Sequence, residues 1–388
     1  MASYFSHIRK NFKFKHYTNY MAVVATLVLF IVLQSSGVLK RSSANLLTQI
    51  GFSIILAVSL NLVVGFLGEL SLGHAGFMCI GAYLGVFIQG KLSAALPALL
   101  ALILSMLIGG VIAALFGFVV GLPALRLKGD YLAIVTLAFG EIVRNIFKNL
   151  PWFGGALGLP SRTYGTSLFI ITALAVLVML FFVQNLIRSK HGRAITAIRD
   201  NEIAAKAMGI NVTYYKLFVF VISAFFAGVA GVIYGNYTTP ILYSFFSYNY
   251  SIEILVMVVL GGMGNIGGSI AAATLITYIN FTLTTKLSGD LAALKYLVYA
   301  LILMVVVIFG NAPALRPIKE KLSLHRFLSG LTKKKGQHDP EKEASKIKDD
   351  GSAWDRIPTK IRMDEVISTD IINPEGGVQD ESDKPKTR

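Results

Sequence analysis

Few side chains in this sequence could do chemistry, and most of those lie inside apolar runs. Glu69 and His74 share a glycine-broken stretch, Gly68-Glu69-Leu70-Ser71-Leu72-Gly73-His74. An acid and an imidazole so placed suit a translocation path, because interrupted helices at membrane depth are tolerated only against protein or water. The alternative for His74 is a packed, hydrogen-bonded histidine. Glu141, Arg144 and Lys148 recur at helical spacing in another apolar run. Charges there are expected to face a bundle interior and to pair, Glu141 with Arg144 at i,i+3. The pair reads either as structural or as part of a translocation route. Glu253 is the only acid of the stretch 251–262 and lies near its end. A metal site is not expected, since no second His or Cys stands at ligand spacing from His74, and the single cysteine, Cys79, can form no internal disulfide. Neither G-x-S-x-G nor H-E-x-x-H occurs, and G-x-x-x-x-G-K-[ST] is absent too. No cofactor is expected, and any ATP that drives the protein must be bound by another subunit.

The polar connector 188–212, RSKHGRAITAIRDNEIAAKAMGINV, is 25 residues long where such connectors are normally short. It reads as helical. Asp200 is expected to cap a helix N-terminus, Glu202 lies where the helix dipole favours an anion, and Lys206 lies near the other end. Gly209 fits the position after the helix, where φ turns positive. Ile203, Ala204, Ala207 and Met208 fall on one face, which is more apolar surface than a loop requires. From the residues alone, that face suits a lipid surface or a protein partner.

The elements that hold these residues follow from composition. Of 388 residues, 54% are hydrophobic and 15% charged, with a mean hydropathy of +0.64. A soluble domain carries about 25% charged residues. The pattern predicts an all-α polytopic membrane protein, and windows long enough to cross the bilayer occur near 21–39, 46–67, 71–90, 94–121, 131–149, 167–187, 213–237 and 293–310. The stretch 251–285 is interrupted by Gly261, Gly262, Gly264, Gly267 and Gly268, and is read as two helices meeting at a glycine turn. That makes about ten transmembrane helices, some broken by glycines, the first of them uncleaved. Gly81/Gly85, Gly117/Gly121, Gly231/Gly235 and Gly264/Gly268 set small residues four apart, a spacing that predicts close helix packing.

The net charge of +15 divides unevenly, with +13 in residues 1–310 and +2 in 311–388. The basic residues sit between apolar runs rather than on a soluble face, which argues for anionic lipid and against nucleic acid. With the basic segment 1–20 inside, the inside connectors hold 11 Lys and Arg and the outside ones 6. The positive-inside rule therefore predicts both termini, and the connector 188–212, in the cytoplasm. The mixed-charge tail 311–388 is expected to be mostly disordered, with an amphipathic piece near 317–331 on the membrane surface.

The run Ala204-Ala205-Lys206-Ala207-Met208-Gly209 resembles the E-A-A-x-x-x-G loop of bacterial ABC importer permeases, with Ile203 at the Glu position and Glu202 one place earlier. The wider segment GRAITAIRDNEIAAKAMGINV is similar to the same loop in LivM-type permeases of branched-chain amino acid ABC importers. So are SLNLVVGFLGELSLGHAGFMCIGAYLG at 59–85, GDYLAIVTLAFGEIVR at 129–144 and LGGMGNIGGSI at 260–270. The resemblance runs in order from about 45 to 310. It implies a permease domain at 21–310 whose loop 188–212 forms a cytoplasmic coupling helix that docks on an ATPase, with Ala204 and Ala205 as contact residues. It further implies a homologous second permease subunit, two cytoplasmic ATPase subunits, an extracytoplasmic substrate-binding protein and a bacterial inner-membrane location. The implied substrates are leucine, isoleucine and valine, or other small amino acids, amides or urea. The main alternative is a carrier or channel powered by an ion gradient; a membrane-embedded enzyme ranks third, for want of a catalytic constellation.

Overall fold

The computed structural model describes residues 41–286, apart from 128, 162, 163, 165 and 166, together with 300, 301 and 304. The expectations for 1–20, 21–39, most of 293–310 and 311–388 lie outside the described residues.

Lipid offers no hydrogen bonds, so long aliphatic runs fold as helices that satisfy their own backbone. In chain order these are α1 (Arg41–Asn61), α2 (His74–Ile80), α3 (Val86–Leu92), α4 (Ala98–Ala124), α5 (Asp130–Asn149), α6 (Ser167–Arg188), α7 (Lys190–Asp200), α8 (Glu202–Ala207), α9 (Val212–Tyr237), α10 (Tyr248–Gly261) and α11 (Ile266–Lys286). A wider π-helical turn, Leu62–Leu67, prolongs α1, and another, Gly81–Gly85, joins α2 to α3. No β-strand occurs among the described residues.

Six stretches are long and apolar enough to cross a membrane: Ser43–Leu67, His74–Leu92, Ala98–Ala124, Leu168–Arg188, Val212–Tyr237 and Ile266–Thr285. The chain is thus an all-α, multi-pass membrane protein. The expected count of about ten is not reached among the described residues, where α5 carries four charges and α10 has only 14 residues. The stretch 251–285 does split, at a turn in which Gly262 and Gly264 have φ of 89° and 78°. Gly264 therefore lies outside the helix, and the expected Gly264/Gly268 pairing on one helix face does not form.

The other small residues act as their spacing predicts. α9 runs through the centre against α4, α1 and α2. A Cβ on Gly81 would stand 2.1 Å from the Gly228 carbonyl oxygen, and one on Gly231 2.1 Å from that of Met78. On the α4 side, Gly117 faces Ala224 and Gly121 faces Leu217 and Phe220.

The molecule has two distinct ends. One gathers Gly68–Gly73, α7, α8 and the turn after α10. The other gathers the loops around 93–97, 150–161 and 238–247, tied by an antiparallel bridge between Leu159 and Ile241 and by Gln89 Nε2 donating to Tyr164 Oη at 2.8 Å.

Candidate functional site

The densest set of long-range polar contacts among the described residues lies where α1 breaks. Gly68 turns left-handed at φ 83°, and its N–H and that of Glu69 both donate to the Val63 carbonyl. Asn61 is fully buried. Its Nδ2 donates to Ser269 Oγ at 2.9 Å and to the Asn265 carbonyl at 3.3 Å, while its Oδ1 accepts the Gly264 N–H at 2.9 Å. A Cβ on Gly65 would stand 1.8 Å from Asn61 Oδ1 and 2.2 Å from Gly264 N, so only glycine lets the second glycine turn seat here. The Gly65 carbonyl, freed near the helix end, accepts from Arg199 Nη1 at 3.1 Å.

Arg199 brings in the connector 188–212. Ser189 caps α7 through its side chain. Asp200 does not cap the next helix as its type suggested. It is the last residue of α7, accepting from Arg199 Nη2 at 2.9 Å, and Asn201, in extended conformation, caps α8 by accepting the Ala204 N–H at 3.0 Å. The break falls one residue later because buried Ile195 and Ile198 carry α7 on to Asp200.

The far end of α8 is as expected. Gly209 has φ 81°, its N–H donates to the Lys206 carbonyl, and the Ile210 N–H donates to the Ala205 carbonyl, both at 3.1 Å. These are the paired bonds of a Schellman close. Open space surrounds the position, with nothing within 4 Å of an added Cβ. Gly209→Val should therefore cost only the conformational penalty, about 1–2 kcal/mol, read as a lowered thermal midpoint of the solubilised chain beside a Gly90→Ala control.

Ile203, Ala204, Ala207 and Met208 are exposed, Ile203 and Met208 at 82%. Ala205 differs. It is 5% exposed and packs into the chain's own core, so it is no contact residue for a partner, and a charge placed there would disturb folding rather than docking. The opposite side of a two-turn helix had to rest on something, and that something is this chain.

Glu202 leads to the residue that sequence reasoning missed. Its Oε2 meets Lys216 Nζ at 3.0 Å, and the same ammonium meets Glu69 Oε1 at 2.5 Å. Lys216 is buried, one turn into α9. A lysine at the start of an apolar run reads as one that reaches out to the headgroups. The signal was that buried lysines are paired, and Glu69, an acid outside any helix, had no neighbour to pair with. The two contacts differ in kind. The Glu69 side chain is 15% exposed and that of Glu202 41%. Removing one partner of a buried pair costs about 3–5 kcal/mol, whereas an exposed pair is worth about 0–1 kcal/mol.

Glu69 and His74 are not brought together. His74 opens α2, 2% exposed, with Nε2 2.8 Å from Ser59 Oγ on α1, which is the packed alternative. Glu141 and Arg144 do pair, at 2.8 Å and each about one quarter exposed, and Glu141 Oε1 also accepts the Tyr248 N–H at the start of α10. Toward the end remote from α8, Tyr234, Phe245, Tyr250, Glu253, Val256 and Asn280 help to line a cavity of about 770 Å³. There Asn280 Nδ2 donates to Glu253 Oε1 at 3.1 Å.

Residues 42–307 match the family described as "Branched-chain amino acid transport system / permease component". The high-affinity branched-chain amino acid transport system permease protein LivM of Salmonella typhimurium is 33% identical over 283 residues, 64% of this chain and 65% of that protein. The probable branched-chain amino acid transport permease protein LivM of Methanocaldococcus jannaschii is 30% identical over 57% of this chain and 75% of its own. The permease protein LivH of Escherichia coli is 22% identical over 69% of this chain and 92% of its own. The chain thus spans just under two thirds of the length of its Salmonella relative.

Proposed function

Because the chain belongs to the family of permease components of branched-chain amino acid transport systems, we propose that it is the transmembrane subunit of an ATP-driven importer. In this reading it moves leucine, isoleucine and valine into the cell without binding ATP itself. It pairs with a homologous second permease, as its likeness to both LivM and LivH suggests. Two cytoplasmic ATPase subunits and an extracytoplasmic binding protein complete the complex in a bacterial inner membrane. The end bearing α8 is the cytoplasmic one, and both chain termini lie on that side. The cavity at the remote end is then the mouth through which the solute enters.

The observation that carries this reading is α8 itself. A helix of six residues that caps at Asn201, closes at Gly209 and leaves Ile203 and Met208 at 82% exposure needs a partner for that face. A groove of an ATPase subunit is a partner that could also move it. Charging the face tests this without touching the core. Ile203→Glu with Met208→Glu should insert normally in the membrane, yet fail to retain the ATPase on co-purification and lose ATP-dependent uptake. Retention and uptake at the level of the unaltered chain would overturn the assignment of α8. Solute flux by the lone chain under an ion gradient would support a carrier instead.

A further inference from the structure

We infer that Lys216 is a positioning residue that ties α8 to the break that follows α1, holding Glu69 permanently and Glu202 releasably. The inference rests on the reading of α8 as the helix that meets the ATPase, and it adds how a movement of α8 reaches the interior.

Three elements distant in sequence meet at one ammonium group: the loop after α1 through Glu69, α8 through Glu202, and α9 through Lys216 itself. Exposure is graded across the cluster. Glu69 and Lys216 are the dry side, at 15% and 5%, and Glu202 stands at the water's edge, at 41%. An ammonium has three donors, so it serves both carboxylates at once. When Glu202 leaves, it passes into water, and Lys216 keeps Glu69, so that no buried charge is stranded. The opposite order, with Glu69 leaving, would strand one. A second contact runs in parallel. Arg199, just before α8, holds the Gly65 carbonyl at 3.1 Å, beside the turn that Asn61 binds. A pull on α8 is therefore felt first at the Glu202 contact and next at the break of α1.

The exchange Glu69→Lys with Lys216→Glu restores the dry pair in reverse, but sets two carboxylates against each other at the Glu202 side. Adding Glu202→Lys reverses the whole cluster and restores both contacts. The complete complex, with its ATPase subunits, should be reconstituted in liposomes and three quantities measured: ATPase retention, ATP hydrolysis, and leucine uptake per ATP hydrolysed. Glu202→Gln and the two-residue exchange are expected to retain the ATPase and hydrolyse ATP. Uptake per ATP should fall by about tenfold, in the range of ordinary coupling between sites. The full reversal should recover most of it, a rescue that a merely structural role of any one residue would not give.

Uptake per ATP unchanged in Glu202→Gln, or a full reversal no better than the exchange, overturns the inference. So does loss of ATPase retention in Glu202→Gln, which would make Glu202 a docking residue. If the unaltered complex shows no ATP-dependent uptake, it is the importer reading that fails, not the tie.

Discussion

Gly231→Val is expected to leave no monodisperse folded chain after extraction from the membrane. An added Cβ would stand 2.1 Å from the Met78 carbonyl oxygen and 2.8 Å from Ala82 N. Both are backbone atoms of the facing helix, so no rotamer change relieves the overlap. The two helices must separate, and Gly81 against Gly228 would lose contact with them. Lipid supplies no hydrophobic drive between helices, so close packing is what holds the pair together. Overpacking costs about 1–3 kcal/mol when side chains can yield; here they cannot, and the cost exceeds that range. Gly90→Val is the control, since nothing lies within 4 Å of a Cβ there. Size-exclusion profiles and thermal midpoints of both variants check the result, and a monodisperse Gly231→Val with the midpoint of the unaltered chain would refute it.

Asn61→Leu is expected to be the next most damaging change, at about 2–4 kcal/mol, because it strands a part-buried donor and removes two further bonds. Leucine has nearly the same shape, so packing changes little. The stranded group is the Gly264 N–H, which Asn61 Oδ1 accepts, while Ser269 Oγ keeps its bond to the Asn265 carbonyl. The damage should be local to the turn after α10. Limited proteolysis should cut between Gly262 and Asn265 faster than in the unaltered chain, alongside a lower thermal midpoint. An unchanged cleavage pattern would show that Asn61 does not hold the turn.

The long helices were legible because their signal is simple: an aliphatic run of bilayer length, as in α4 and α9, has one way to satisfy its backbone. The glycine split of 251–285 and the left-handed close at Gly209 were legible for the same reason, since both are local. What was not legible depends on contacts far apart in the chain. Lys216 finds Glu69 and Glu202 only once α9 stands between them. His74 and Glu69 share one glycine-broken stretch in the sequence, but the non-helical turn between them sends one to Ser59 and the other to Lys216. Ala205 was set beside Ala204 as a contact residue by the resemblance, and a motif does not say which side of a helix rests on its own chain, where Ala205 is buried. Asp200 and Asn201 are equally good caps by type, and tertiary packing of α7 chose between them.

The backbone contacts of Gly81, Gly228 and Gly231 have a consequence for how the molecule can change shape. Packed helices slide past one another by small repacking of the side chains that interdigitate between them. Where main chain lies directly on main chain there is no such layer, and a shift of even one residue would bring a Cβ onto a carbonyl. α2 and α9 therefore travel as a single stiff body, with no shear plane between them. Rearrangement has to be absorbed at its borders, and one of these is Gly68, in the loop that leads into α2, where the backbone already turns left-handed at φ 83°.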